Sequence, residues 1–281
     1  MTPGTTGRVT VVVMTRNGWS DLRRTLPRHE APVVVVDNGS TDGTPEQVRV
    51  AFPGVRLIEL GENRGAPARN VGVEAARTPY VAFADDDSWW APGALALAAD
   101  ILDDHPRLAL LAARMTVEPG HRADAVSSAM AEAPLGTEPD LPGPSVLGFL
   151  ACAAVVRRAP FLDVGGFDPV VFFMGEEERV ALDLASRGWG LAYVDTVTAH
   201  HEPAAERDRS GRAARAARNQ LLTAVMRRPA PRVLARVGAD LRTPVGRRAL
   251  REALPVLRDA WRRRAVVPVE VERRRRLLDG S

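Results

Sequence analysis

Short apolar runs that stop abruptly at polar residues dominate the first part of the chain. Val9 to Met14 (V-T-V-V-V-M) is followed by Thr15, Arg16, Asn17 and Gly18, and Val33 to Val36 is followed by D-N-G-S-T-D-G-T. Tyr80 to Ala84 leads into three consecutive carboxylates, Asp85, Asp86 and Asp87. Each run reads as a buried strand. Ser20 or Asp21 can cap a helix through Leu22 and Leu26 that Pro27 closes, so the first two strands have the spacing of a parallel βαβ unit. A helix over 45–51, a strand near Val55 to Leu60 and a small-residue helix from Ala68 to Ala76 continue the alternation. Ligands of open α/β sheets bind beyond the carboxyl ends of the strands, where these polar clusters stand.

The pattern then changes. A helix over Pro92 to Asp103 and a strand over Leu108 to Ala113 precede a long stretch, Glu118 to Pro144, that is rich in Pro, Gly, Ala and acids and reads as a flap. Gly148 to Val156 reads as a buried strand, and Arg157-Arg158 open a short helix through Leu162. From Glu178, residues Val180, Ala181, Leu184 and Ala185 share a helical face that Gly188 ends, and Leu191 to Val194 with Val197 to Ala199 form a last strand ending in His200-His201. Beyond it, Arg209, Arg212, Arg215 and Arg218 recur at spacing three within a helix over Arg207 to Met226. Arg247 to Arg264 places Leu250, Leu254, Leu257 and Trp261 on one side and Arg on the other, a pattern that docks on a domain or lies on an anionic membrane.

Charge sharpens this division. The 281 residues carry a net charge of only +3, and every basic residue counted as Lys or Arg is Arg. From Glu202 to the end there are 21 Arg against 9 acids, whereas the preceding residues hold 17 Arg against 26 acids. An acidic body with a basic tail is suited to an anionic partner such as a membrane surface, a lipid phosphate or nucleic acid; a solvated helical face is the plainer alternative. Cys152 is alone in an apolar run, so no disulfide framework exists and a reducing compartment is compatible. Without a signal pattern or an apolar run of about 18 residues, a cytoplasmic protein is expected, peripheral at the inner face of a membrane if the tail binds there.

Candidate chemistry concentrates at the strand ends. Asp85 and Asp87 can converge on one hard divalent cation, Mg²⁺ or Mn²⁺, that also takes phosphate oxygens. An acidic loop capped at Ser88 is the alternative. Asp37 can accept hydrogen bonds from a ribose or a base N–H. Arg64 and Arg69, in the Glu62 to Asn70 loop with Gly65, can meet phosphates beside a helix N-terminus. Neither G-x-G-x-x-G nor G-x-x-x-x-G-K-[ST] is present, which disfavours a dinucleotide fold and a P-loop. Glu176, Glu177 and Glu178 suit a helix dipole, and a neutral imidazole from His200 or His201 suits a metal.

Taken in order, V-V-V-D-N-G-S-T-D-G-T, N-R-G-A-P-A-R-N-V-G, F-A-D-D-D and G-G-F-D resemble the family 2 glycosyltransferases with a GT-A fold, over about residues 8–202. The resemblance implies a Rossmann-like mixed α/β sheet flanked by helices, a nucleotide-binding half over about 8–115, an acceptor half over 116–202 bordered by the flap, and a C-terminal α-helical extension over 203–281. It implies a nucleotide-diphosphate sugar donor held by Thr15, Arg16, Asn17, Asp37, Arg64, Gly65, Arg69, Asp85 and Asp86, with Arg218 approaching the diphosphate. It implies a divalent metal, Mn or Mg, on Asp87 and Asp85 with His200 or His201, Asp87 being the direct ligand. The family's acidic pair falls on Glu176 and Glu177, with Glu in place of its Asp. Its second member is the general base toward an acceptor hydroxyl; with Glu in place of Asp the choice stays open among Glu176, Glu177 and Glu178, and Glu177 is preferred. A base acting from one side of a bound acceptor implies inversion at the anomeric carbon. No nucleic-acid partner is expected. A nucleotidyltransferase is the first competitor, but its phosphate-loop Lys is missing; a binding module acting through the basic tail is the second.

Overall fold

The computed structural model describes residues 7–203 and 211–279, so Arg207 and Arg209, where the expected Arg stripe begins, lie outside the described residues. The first three parallel strands are β1 (Val9–Thr15), β2 (Val33–Asp37) and β3 (Arg56–Glu59), joined by α1 (Trp19–Thr25) and α2 (Thr44–Ala51). Then come α3 (Ala68–Ala75), β4 (Tyr80–Asp85), β5 (Ser88–Trp90), α4 (Ala94–Asp104), β6 (Leu108–Val117), β7 (Arg122–Ala123) and α5 (Ala125–Ala131). β8 (Ala154–Arg157), α6 (Arg158–Asp163), α7 (Glu177–Ser186) and β9 (Gly190–His201) complete the sheet and its cover. Five helices follow: α8 (Arg212–Arg227), α9 (Ala230–Leu241), α10 (Pro244–Ala253), α11 (Leu257–Arg262) and α12 (Val269–Leu277).

The sheet runs β3-β2-β1-β4-β8-β6-β9-β5, with β7 paired to β6. β1 pairs in parallel with β2 and β4, β8 lies antiparallel between β4 and β6, and β9 is parallel to β6. Its two faces follow from a period of two. Val9, Val11, Val13, Val35, Tyr80 and Ala82 share one core with α4, while Val12, Val34, Val36, Val81 and Phe83 share the other with α3, α6 and α7. On that second face Phe83, Phe161 and Phe167 pack with ring centroids 5.4–5.5 Å apart. The C-terminal helices have a core of their own, in which Leu221, Leu222, Val225 and Met226 meet Val170 and Val171 of the body. At the far end Val267 and Val271 pack on Leu147 and Leu182.

Several expectations are corrected. Gly148 to Val156 is not one strand: only Ala154 onward joins the ladder, after a 3₁₀ turn over Ala151–Ala153. Its apolar residues are buried because they line a cleft and a helix face, which a hydropathy run does not distinguish from ladder burial. The supposed flap contains β7 and α5; Asp124 caps α5, accepting from the backbone N–H of Val126 at 2.8 Å. β6 and β9 run longer than their apolar segments, through a bulge at Ala113/Arg114. The stretch expected to be helical from Arg247 to Arg264 breaks at Leu254–Val256, where Pro255 cannot continue α10.

Candidate active site

Parallel pairing brings the polar strand ends level. Thr15 lies opposite Asp37, and Met14 opposite Asp85, so residues far apart in sequence meet at one sheet edge. Asp37 is buried, and its carboxylate accepts from the Ser40 N–H at 3.0 Å and from the Ser40 hydroxyl. Asn17, at a left-handed φ of 56°, donates its N–H to Ser40 Oγ and accepts the Thr41 N–H at its side-chain oxygen, each at 2.8 Å. The turns after β1 and β2 are therefore one unit. Asn38 ties in the next loop, accepting from the Arg64 N–H at 2.8 Å and donating to the Gly65 carbonyl at 3.2 Å. Gly65 has φ +66°, and a Cβ there would collide with the Phe172 carbonyl oxygen, so glycine is required on two counts. The Arg16 and Arg64 side chains are exposed; Arg64 pairs with Glu62 at 3.0 Å.

The three aspartates turn in three directions. Asp85 receives the guanidinium of Arg69. Asp86 turns back to β1, where its carboxylate accepts the Thr15 hydroxyl at 3.0 Å and its carbonyl accepts the Thr25 hydroxyl at 2.8 Å. Asp87 is fully buried, with His201 Nε2 3.3 Å from its Oδ2. A carboxylate and an imidazole at one point are a donor set that Mn²⁺ accepts, so the residues fit such a cation. His200, one residue earlier on β9, faces the opposite side: its ring stacks on Trp89 at 5.2 Å, and its Nδ1 lies 2.9 Å from Glu118 Oε1 and from Thr116 Oγ1. Of the two histidines the sequence left open, His201 is the one beside the acidic run.

Across from Asp85 lies the start of α7. Arg69, nearly fully buried, sits between the two sides, with its other terminal nitrogen 3.6 Å from Glu176. Its burial works against the charge, yet Asp85, Glu176 and Glu177 more than compensate and raise its pKa. Burial lifts the Glu176 carboxyl above its ordinary value, and Arg69 opposes the rise. Burial, then the neighbouring charge of Glu176, pushes Glu177 up to about 8, against the pull of nearby backbone N–H groups and Arg69. Such a carboxyl exchanges a proton near neutrality. Cys152, in the same cavity, is driven the other way for a nucleophile: burial raises its thiol pKa and keeps it protonated.

These groups line a cleft of about 860 Å³. Its outer wall is formed by Val126 and Met130 of α5, the segment Val146 to Cys152, and Arg212, Ala216 and Gln220 of α8. The C-terminal helices are thus part of the cavity, although Arg218 is not. At 3.6 residues per turn it lies roughly 200° around α8 from Ala216, and its guanidinium donates to the carbonyls of Glu252 at 3.2 Å and Val171 at 3.5 Å. The neighbouring residue has a role that sequence reasoning missed. Asn219 is fully buried and donates to the carbonyls of Phe173 and Met174, both at 2.7 Å. Those carbonyls belong to the turn just before Glu176, where Phe172 and Met174 have left-handed φ values of 67° and 76°. An Asn in mid-helix, where its propensity is poor, was the available signal.

The sequence profile described as Glycosyl transferase family 2 matches residues 10–165, more than half of the chain. The chain belongs to this family. Among family-related proteins, the pre-mycofactocin glycosyltransferase of Mycobacterium tuberculosis is 33% identical over 205 residues, covering 69% of this chain and 42% of its own length. The N-acetylglucosaminyl-diphospho-decaprenol L-rhamnosyltransferase of the same species is 28% identical, covering 61% of this chain and 66% of its own length. The chain therefore spans less than two thirds of either relative. In fold it is similar to Staphylococcus aureus TarS 1–349, solved with UDP-GlcNAc, with a TM-score of 0.60 at 19% identity over 78% of this chain and 66% of that one. It is also similar to the mannosyltransferase PcManGT of Pyrobaculum calidifontis, solved with GDP-Man and Mn²⁺, with a TM-score of 0.59 at 23% identity over 90% of this chain and 70% of that one. The expected mixed sheet flanked by helices is the fold this chain has in common with these enzymes, and C-terminal helices follow it here.

Proposed function

We propose that this family 2 chain is a metal-dependent, inverting glycosyltransferase that moves a sugar from a nucleotide-diphosphate donor to an acceptor hydroxyl. The observation that carries the reading is the arrangement of Glu177 and Glu176 across one cleft from the Asp85 edge, with Arg69 between them. Family membership and the nucleotide sugars bound by TarS and PcManGT support the donor class and weigh against a nucleotidyltransferase or a mere binding module.

In this mechanism the joined turns after β1 and β2 hold the nucleoside, with Asp37 oriented by Ser40 and Asn17 fixed against Thr41. Arg64 and Arg16 are exposed at the same edge and would reach phosphates by leaving Glu62 and the Gly39 carbonyl. Asp87 with His201 would hold a divalent cation, Mn²⁺ or Mg²⁺, which Asp85 would join by turning from Arg69, and the cation would supply Lewis-acid neutralisation of the departing diphosphate. Glu177 accepts the acceptor's hydroxyl proton as the oxygen bonds to the anomeric carbon and the bond from that carbon to the diphosphate oxygen breaks. Arg69 holds Asp85 and Glu176 in register, so the donor and acceptor sides are set relative to each other. A single displacement of this kind inverts the anomeric centre.

A screen with UDP-, dTDP- and GDP-sugars, each with and without Mn²⁺, tests the donor; a metal-dependent rise in melting temperature with one nucleotide is expected. The anomeric configuration of the product tests the mechanism, and retention would remove Glu177 as the base.

Among the described residues no helix is long and apolar enough to cross a membrane. Yet α8 to α11 enclose an apolar groove of about 510 Å³ lined by Val225, Leu234, Leu250, Leu254, Leu257 and Trp261, with Arg251 and Arg264 at its edge. Leu234 and Trp261 are 71% and 66% exposed. Apolar side chains under an Arg rim suit the surface of an anionic bilayer, and a lipid-linked acceptor would be met there. Sedimentation with phosphatidylglycerol vesicles but not with phosphatidylcholine vesicles, reduced in Trp261→Ala, is expected; equal sedimentation of the variant would remove the groove from this role.

A further inference from the structure

His200 turns away from the acidic run, and the place where it arrives is organised. We infer that Glu118, His121 and His200 form a second metal site, for a divalent cation of the zinc type, on the face of β9 opposite His201. The three side chains each offer a donor atom, and those atoms lie within 4.8 Å of one another. Glu118 Oε1 is at the centre, 2.7 Å from His121 Nδ1 and 2.9 Å from His200 Nδ1.

The local backbone is shaped to make this meeting. β6 ends at Val117, and the turn into β7 passes through Gly120 at φ 101° and His121 at φ 50°. A non-glycine residue in the left-handed region is uncommon, and here it folds His121 back over Glu118, whose carboxylate also accepts the His121 N–H at 3.3 Å. His200 is oriented from its other side. It stacks on Trp89 with the planes 13° apart, and the Arg28 guanidinium covers that indole at 4.0 Å. The pairing of Trp89 with His200 in the β5–β9 ladder fixes the stack.

The donor types select the ion. Two imidazoles and one carboxylate suit zinc and its transition-metal neighbours, whereas Mg²⁺ and Ca²⁺ take oxygen ligands. Zinc binds such donors at about 2.0–2.2 Å in a tetrahedron, which sets them about 3.3–3.5 Å apart, so Glu118 Oε1 must draw back from each imidazole by about half an ångström. His121 has 76% of its side chain exposed and can make that adjustment. Three protein donors leave a fourth position for water, with Thr116 Oγ1 close to the His200 ring. Alternation along β9 sends the side chains of His200 and His201 to opposite faces, so this site is separate from the one proposed at Asp87. Its occupancy would clamp the 118–121 turn onto the strand that carries His201.

The test uses the full chain, stripped of metal by chelator and titrated calorimetrically with Zn²⁺ alone, in the absence of nucleotide. One tight equivalent is expected to bind, with its affinity falling about tenfold or more in both H121A and E118Q and unchanged in D87N, which removes only weaker binding at the separate Asp87 site. Because His121 is on an exposed turn, H121A should fold, which its metal-free melting temperature checks. Bound Co²⁺ read by its visible spectrum should change ligand field in H121A and not in D87N. Absence of Zn²⁺ binding, binding unaffected by H121A, or binding abolished by D87N would each overturn the assignment.

Discussion

The two walls of the site are built by opposite strategies. The first is set by parallel strands: Thr15, Asp37 and Asp85 close β1, β2 and β4, and Arg64, Gly65 and Arg69 follow in the loop and helix between β3 and β4. The opposite wall is assembled from separated pieces, α5, the segment Val146 to Cys152, the turn before α7 and one face of α8. In the first wall the ladder sets position, so local pattern is enough. In the second, position depends on buried hydrogen bonds between segments, such as Asn219 to the carbonyls of Phe173 and Met174. The first wall should therefore fail through lost ligands, and the second through lost alignment.

The largest expected effect sharpens the contrast at its centre. Glu177→Gln should lower kcat by about 10²- to 10⁴-fold while leaving donor affinity intact, as measured by product formation and donor titration. Transfer at the parental rate would place the base elsewhere, with Glu176 the next candidate. On the first wall, Asp87→Ala should weaken Mn²⁺-dependent donor binding by about 10²-fold, consistent with several kcal/mol from a removed metal ligand. Donor affinity that keeps its metal dependence in this variant would break the comparison.

Asn219→Ala touches neither substrate, yet it removes two buried hydrogen bonds to the turn before Glu176. A loss of about 1–3 kcal/mol of stability and about a tenfold fall in kcat, with donor affinity kept, is expected. An effect on melting temperature alone would make Asn219 a structural residue only. A pH-dependent effect on stability has a definite sign. The Glu177 carboxyl is raised from 4.5 to about 8 in the folded chain, so the folded state binds a proton in that window that the unfolded state does not. This group's stabilisation is complete below its unfolded pKa and is lost as pH rises through about 8. Glu177→Gln should accordingly raise the melting temperature more at about pH 9 than at about pH 4. For the same reason kcat/KM of the parent should climb with pH and level off above about 8.

Legibility followed the same divide. The β1, β2 and β4 strands and their polar ends could be read nearly residue by residue, because strand burial repeats with a period of two and ligand groups at strand ends need no further context. The segment Gly148 to Val156 misled because apolar residues facing a cleft and apolar residues in a ladder have the same hydropathy. Arg218 and Asn219 are adjacent, and the charged one attracted attention. On the helix, however, a 100° step separates neighbours, and packing against Val171 and Phe173 decided that the amide, not the guanidinium, holds the turn beside Glu176.

From the residues alone came the family, the parallel first strands, the acidic run at the end of β4 and the acidic pair at the head of α7. These follow from local patterns that survive in any fold consistent with them. Tertiary structure alone decided that Arg69 links Asp85 to Glu176 and that His201 faces Asp87 while His200 meets Glu118. It also decided that the basic helix α8 completes the cleft. Each of these depends on strand register or on the rotation of one helix against the sheet, and a shift of one residue in either would present a different side chain.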